Sequence, residues 1–236
     1  MVRFLRIAKS LLLPTTRIAR ILSPTATRLG YSAALVMLAT LAGCNGSSVD
    51  GETTSTSAVE IRRPLPEFTL SRQDGAEFGS KDLLGRVWIG NFIFTRCAST
   101  CPQQTKDLVS LQNEFADHPR REEIHFVSIT VDPEHDTQQQ LAEYAKNYQA
   151  DLKHWSFLTG ERKKIWKLCE QGFALPVFHN SDTDPGMLIT HSEKCVVVDR
   201  ENRIRGFFDT SDEQDRKKLT AKIEQVLAEE NADDSQ

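Results

Sequence analysis

Two largely apolar runs, Val87–Phe94 (VWIGNFIF) and Ile124–Val131 (IHFVSITV), constrain this chain more than anything else in it. A strand with one wet face alternates apolar and polar residues. These two do not, so both need cover on two faces. Between them, Pro102 to about Phe115 places Leu108, Leu111 and Phe115 on one helical face. Strand, helix and second buried strand form the pattern of a parallel pair with a helical crossover.

The helical period returns three times. Thr137–Tyr148 turns Leu141, Tyr144, Ala145 and Tyr148 inward, and Glu161–Glu170 does so with Ile165, Leu168 and Cys169. Asp212–Leu227 aligns Leu219, Ile223, Val226 and Leu227. Trp155–Leu158 reads as a short strand. Pro64–Leu70 and Glu77-Phe78, joined at Asp74-Gly75, read as an N-terminal β-hairpin. Lys194–Asp199 and Arg203–Phe208 form another around Glu201-Asn202. The fold class is therefore α/β. A central mixed sheet, parallel first and antiparallel at its end, is flanked by helices, and that element order is thioredoxin-like.

Residues 1–43 hold Arg3, Arg6, Lys9, Arg17, Arg20 and Arg28 and no acid. Their removal takes the net charge from -4 to -10. An acidic remainder argues against nucleic acid, whose binding rests on phosphate neutralisation. The basic stretch is followed by the small apolar run Tyr31–Gly43. That run is shorter than the roughly 20 residues a membrane span needs, but it fits a signal-peptide core. It closes on Leu41-Ala42-Gly43-Cys44, which resembles a bacterial lipobox. The expected organisation is a signal peptide of lipoprotein type over 1–43 and a flexible tether over 44–62, starting at a lipidated Cys44. One domain over 63–228 and an acidic tail over 229–236 follow. Such a chain would be extracytoplasmic, on the periplasmic face, and membrane-anchored through its lipid.

The strongest chemical signal is Phe94-Thr95-Arg96-Cys97-Ala98-Ser99-Thr100-Cys101-Pro102, which leaves a buried strand and opens a helix. Pro102 suits a first helical turn, where its missing N–H costs nothing. Free N–H groups and the positive end of the helix dipole favour thiolate there. Cys97 and Cys101 are thus candidate soft-metal ligands, with Cu(I) the softest common ion, and equally candidate redox thiols. The segment Met187–Val198 lacks the Pro that redox enzymes of this fold keep beside their disulfide. His191 stands in that place, in Thr190-His191-Ser192, and offers a third donor. Two sulfurs and one nitrogen suit Cu(I), or a larger set for Cu(II).

These motifs resemble the SCO/SenC family of copper-binding cytochrome c oxidase assembly proteins. The resemblance runs from about Pro66 to Val226. It includes Cys-x-x-x-Cys-Pro at Cys97, Cys101 and Pro102, then Val131-Asp132-Pro133-Glu134-His135-Asp136-Thr137. It also includes Thr190-His191-Ser192 and Val198-Asp199…Arg203-Ile204-Arg205-Gly206. It implies that Cys97, Cys101 and His191 hold copper. It further implies a metallochaperone role toward the dinuclear copper site of cytochrome c oxidase subunit II, with other copper chaperones or thiol reductants as further partners. His135 replaces a common Arg, and the stretch from Cys169 to Phe178 and Cys195 are less typical.

The main reading is a monomeric copper chaperone rather than an enzyme. The rival is a membrane-tethered thiol–disulfide oxidoreductase that keeps the client's cysteines reduced, with Cys97 attacking and Cys101 resolving. Asp132 ends its strand where α/β folds gather function, and it equally reads as an Asp-Pro turn. Asp136 and Thr137 read as helix-capping residues, and His135 as exposed. Cys169 and Cys195 read as core, with a bridge between them left open.

Overall fold

The computed structural model describes residues 61–180 and 189–229. The signal segment, Cys44, the tether up to Glu60 and the acidic tail beyond Glu229 lie outside the described residues. Those described form strands β1 (Arg63–Pro64), β2 (Thr69–Arg72), β3 (Glu77–Gly79), β4 (Val87–Ile93), β5 (Ile124–Thr130), β6 (Trp155–Thr159), β7 (Val177–His179), β8 (Ile189–His191), β9 (Lys194–Val198) and β10 (Arg203–Asp209). The helices are α1 (Cys101–Glu114), α2 (Gln138–Asn147), α3 (Arg162–Lys167) and α4 (Glu213–Ala228).

Eight strands make one sheet in the order β1-β10-β9-β4-β5-β6-β2-β3. β4 and β5 run parallel from Val87 opposite Ile124 to Ile93 opposite Thr130, and β6 continues the parallel set. β9 and β10 complete the other side antiparallel. Every residue of β4 and β5 is buried, because each face of the sheet carries its own core. On one face Trp88, Phe92, Val127 and Ile129 pack with Ile165, Leu168 and Phe173 from α3 and the turn after it. On the other, Ile89, Ile93 and Phe126 pack with Leu108 of α1, Leu141 of α2 and Ile223 of α4. Cys101 belongs to the first face, at the end of β4.

The turn chemistry follows the sequence. Gly75 takes φ +90° after Asp74, and Asn202 takes φ +56° in the β9–β10 turn. Asn202 also accepts from Trp88 Nε1–H at 2.9 Å and donates to the Ser80 carbonyl at 2.8 Å, so this turn is tied into the core. Three features depart from the sequence reading. Arg63–Pro64 adds a short edge strand to β10. The helix expected over 161–170 stops at Lys167 and continues as one π-helical turn, Leu168–Gly172. A separate two-stranded ribbon, β7–β8, pairs Val177 with His191. Cys169 and Cys195 are both buried and free, in the cores of opposite sheet faces, so they form no bridge. Glu229, first residue of the acidic run, is ion-paired with buried Arg205 and so belongs to the domain.

His125 gives the fold a pH dependence. Its ring is buried and stacked on Phe78. Arg86 lies 3.3 Å from Nδ1 and Ser156 Oγ 3.0 Å from Nε2. Arg86 only donates, so the ring is neutral, with its hydrogen on Nε2. Burial, aided by the Arg86 charge, lowers its pKa from 6.5 to about 3. Its contribution to stability is full above pH 6.5 and is lost as pH falls toward 3, because the unfolded chain takes up the proton first. Melting midpoints should fall across that window, and His125→Gln should flatten the fall. An unchanged slope in the variant would refute the assignment.

Candidate metal centre

α1 starts at Cys101, with Thr100 as its N-cap and Pro102 in its first turn. The segment between β4 and α1 folds back at once, with the Cys97 N–H bonded to the Phe94 carbonyl at 3.1 Å. Cys97 is thereby left half-buried beside fully buried Cys101. His191 arrives from the end of β8, ninety positions later in the chain, and places Nε2 3.3 Å from Cys101 Sγ. Its ring stands edge-on to Phe94, centroids 5.7 Å apart.

The proton positions follow from the partners. His191 Nδ1 lies 2.9 Å from the Ser192 carbonyl, which only accepts, so Nδ1 carries the hydrogen. Burial lowers the ring's pKa and keeps it neutral. The lone pair on Nε2 therefore faces Cys101 Sγ, the form in which histidine ligates a metal. A hydrogen bond from Cys101, with help from the N–H groups of Cys101 and Ser99, lowers the Cys97 thiol to about 5 despite partial burial. The Cys101 thiol is pushed up, because it is the donor in that bond and is buried. One proton on Cys101 thus lies between two acceptors, the Cys97 sulfur and His191 Nε2. A soft cation in its place would meet two sulfurs and one nitrogen, a donor set suited to Cu(I). The two thiols are hydrogen-bonded neighbours, both free, and thus equally the pair a thiol–disulfide exchange would use.

The residues ahead of Cys97 are clamped from the β5–α2 connection. Asp136 is fully buried. It accepts the Thr95 N–H at 2.9 Å, the Thr95 hydroxyl at 2.5 Å and the Thr130 hydroxyl at 2.6 Å. His135 Nδ1 lies 2.9 Å from the same carboxylate. Asp132, also buried, pairs with Arg96 at 2.8 Å, one residue before Cys97. Thr137 alone caps α2, accepting the Gln140 N–H at 3.2 Å. Asp136 is therefore a clamp rather than a cap, and His135 is only partly exposed. Two capping candidates for one helix were the sequence signal that one of them had another task. Among the described residues, Asp132, His135 and Asp136 are a trio whose ligand atoms all lie within 4.8 Å of one another. Their oxygens are committed to Arg96, Thr95, Thr130 and His135, which accounts for the cluster without an ion.

The sequence model of the SCO1/SenC family matches residues 59–228. The chain belongs to the SCO1/SenC family. It is 32% identical over 131 residues to the SCO1 protein homolog of Bacillus subtilis, an alignment covering 56% of this chain and 62% of that one. The crystal structure of a SCO1/SenC family lipoprotein from Bacillus anthracis superposes with a TM-score of 0.64 at 25% identity, over 72% of this chain and 98% of the other. ScoI of Arabidopsis thaliana, solved with copper bound, gives 0.57 at 26% identity, over 68% and 98%. The thioredoxin-like SCO1/SenC fold is thus shared from β1 to α4.

Proposed function

We propose that this SCO1/SenC protein binds copper as cargo through Cys97, Cys101 and His191 and hands it on by ligand exchange to the dinuclear copper site of cytochrome c oxidase subunit II. The observation that carries the reading is the neutral Nε2 of His191 held 3.3 Å from Cys101 Sγ, beside a thiolate-prone Cys97. A copper-bound relative and the family resemblance supply the metal and the client. A site reached from the Cys97 side lets an acceptor thiolate enter while Cys101 and His191 still hold the ion. Among the described residues no helix is long and apolar enough to cross a membrane. Attachment through a lipidated Cys44 on the periplasmic face would confine the search to the membrane surface, as the lipoprotein relative suggests.

The reduced chain titrated with Cu(I) against a competing chelator should bind one equivalent. Loss of one ligand in His191→Ala, Cys97→Ser or Cys101→Ser should weaken binding by about a hundredfold, some 2.7 kcal/mol. Unchanged affinity in His191→Ala would remove the copper reading.

A second reading is favoured by the half-exposed Cys97 with its lowered pKa. Its thiolate would attack a client disulfide and release one client thiolate, and Cys101 would then displace the second. The client gains two electrons, and Cys97–Cys101 becomes the disulfide, to be reset by a thiol reductant. That exchange needs no imidazole, so His191→Ala should weaken copper binding and retain disulfide exchange.

A further inference from the structure

Two polar residues interrupt the apolar strands at the same level. Asn91 of β4 pairs in register with Ser128 of β5, and both are buried. They belong to one chain of hydrogen bonds. Trp155 Nε1–H donates to Ser128 Oγ at 2.9 Å, and Ser128 Oγ–H donates to Asn91 Oδ1 at 2.7 Å. Asn91 Nδ2–H donates to Gln104 Oε1 at 2.9 Å, and Gln104 Nε2–H donates to the Glu193 carbonyl at 2.5 Å.

The direction of this chain has one origin. An indole N–H only donates, so the Ser128 hydroxyl, accepting from it, sends its own proton to Asn91. Asn91 then presents its amide N–H groups to Gln104, and Gln104 is left with its amide N–H groups toward Glu193. Trp155 is itself immobilised, fully buried and stacked on Phe157 with centroids 5.2 Å apart. A buried chain with every member satisfied is rigid, and each link would be costly to leave unpaired. It ends two residues after His191, on the turn that follows β8. Its last side chain stands on α1, three residues after Cys101. It therefore spans the two elements that carry the sulfur and the imidazole.

We infer that Gln104 is a positioning residue for the copper site: oriented by Trp155, Ser128 and Asn91, it sets how far the His191 segment stands from Cys101. The inference rests on the copper reading above. Gln104 touches no ligand atom and acts through the Glu193 backbone.

The test is a double-mutant cycle on the full chain, read as Cu(I) affinity by chelator competition. Gln104→Met keeps the side-chain length and removes both hydrogen bonds. Outer partners of metal ligands are typically worth about tenfold to a hundredfold in affinity. Gln104→Met should therefore weaken binding about tenfold in the parent and less than about twofold in the His191→Ala background. In the Cu(II)-loaded protein, the nitrogen coupling seen by electron paramagnetic resonance should weaken in Gln104→Met. An equal loss in both backgrounds would make Gln104 a general stabiliser and overturn the inference. So would full affinity in Gln104→Met while His191→Ala is impaired. If His191→Ala itself leaves affinity unchanged, the copper reading falls and the positioning role with it. Should Gln104→Met not fold, Gln104→Glu preserves shape and the bond from Asn91, puts a carboxyl in place of the amide donor to Glu193, and is judged by the same comparison above pH 7.

Discussion

Asp136→Ala is expected to destabilise the domain by about 3–5 kcal/mol and to free the segment that leads to Cys97. The carboxylate is fully buried and serves Thr95 twice, Thr130 once and the ring of His135. Alanine removes the acceptors of the Thr95 N–H and of two hydroxyl protons, leaving Thr130 Oγ1 only the Asp132 N–H it accepts and Thr95 Oγ1 only His135 Nδ1 at 3.5 Å. Each such orphan costs about 1–3 kcal/mol, with some relief from relaxation. Asp136→Asn keeps the shape but offers one acceptor atom instead of two, so its loss should be about half. Urea unfolding measures both. A change below 1 kcal/mol for alanine would show that water or relaxation replaces the clamp. Copper affinity should fall as well, because Thr95 is two residues before Cys97.

Arg200→Met should cost about 2–4 kcal/mol, and the damage should be concentrated at the end of α4. The last carbonyls of a helix have no partner within it. Here the buried guanidinium of Arg200 takes them, bonding the carbonyls of Val226 at 2.9 Å, Leu227 at 3.1 Å and Glu229 at 3.0 Å. The same group holds Glu123 at 2.9 Å, before β5. α4 is thus fastened where Val226 and Leu227 enter the core. Methionine fills the volume without any donor, while Glu123 retains Arg120. Hydrogen exchange should quicken at α4 amides near the C-terminus before it does so in β4 and β5. Uniform change across the domain, or none, would contradict this account.

Most of the scaffold was legible because its signals are local. Continuous burial of Val87–Ile93 and Ile124–Thr130, the helical stripes of α1, α2 and α4, and the Asn202 turn all appear close to their expected bounds. The cysteine motif was legible for the same reason. What escaped was long-range. β1 and the β7–β8 ribbon are two or three residues long, too short for a period to register. Asp136 looked like a cap because a sequence shows its neighbour Thr137 and not Thr95, forty-one positions away. Asn91 and Ser128 lie inside runs that read simply as buried strands. Their meaning lies in a partner, Gln104, that only the folded chain brings to them.

On the copper reading, the ribbon bears on release of the ion. A two-stranded ladder, even packed on the core through Val177 and Ile189, has far fewer pairings than the eight-stranded sheet. The two sulfurs stand beside the eight-stranded sheet, and the imidazole sits on the small ribbon. Opening that ladder costs less than unfolding the domain. Grip and let-go are therefore set by different pieces of the chain. On that reading, replacing the exposed Phe178 of β7 should alter how fast cargo departs while leaving the melting temperature nearly untouched.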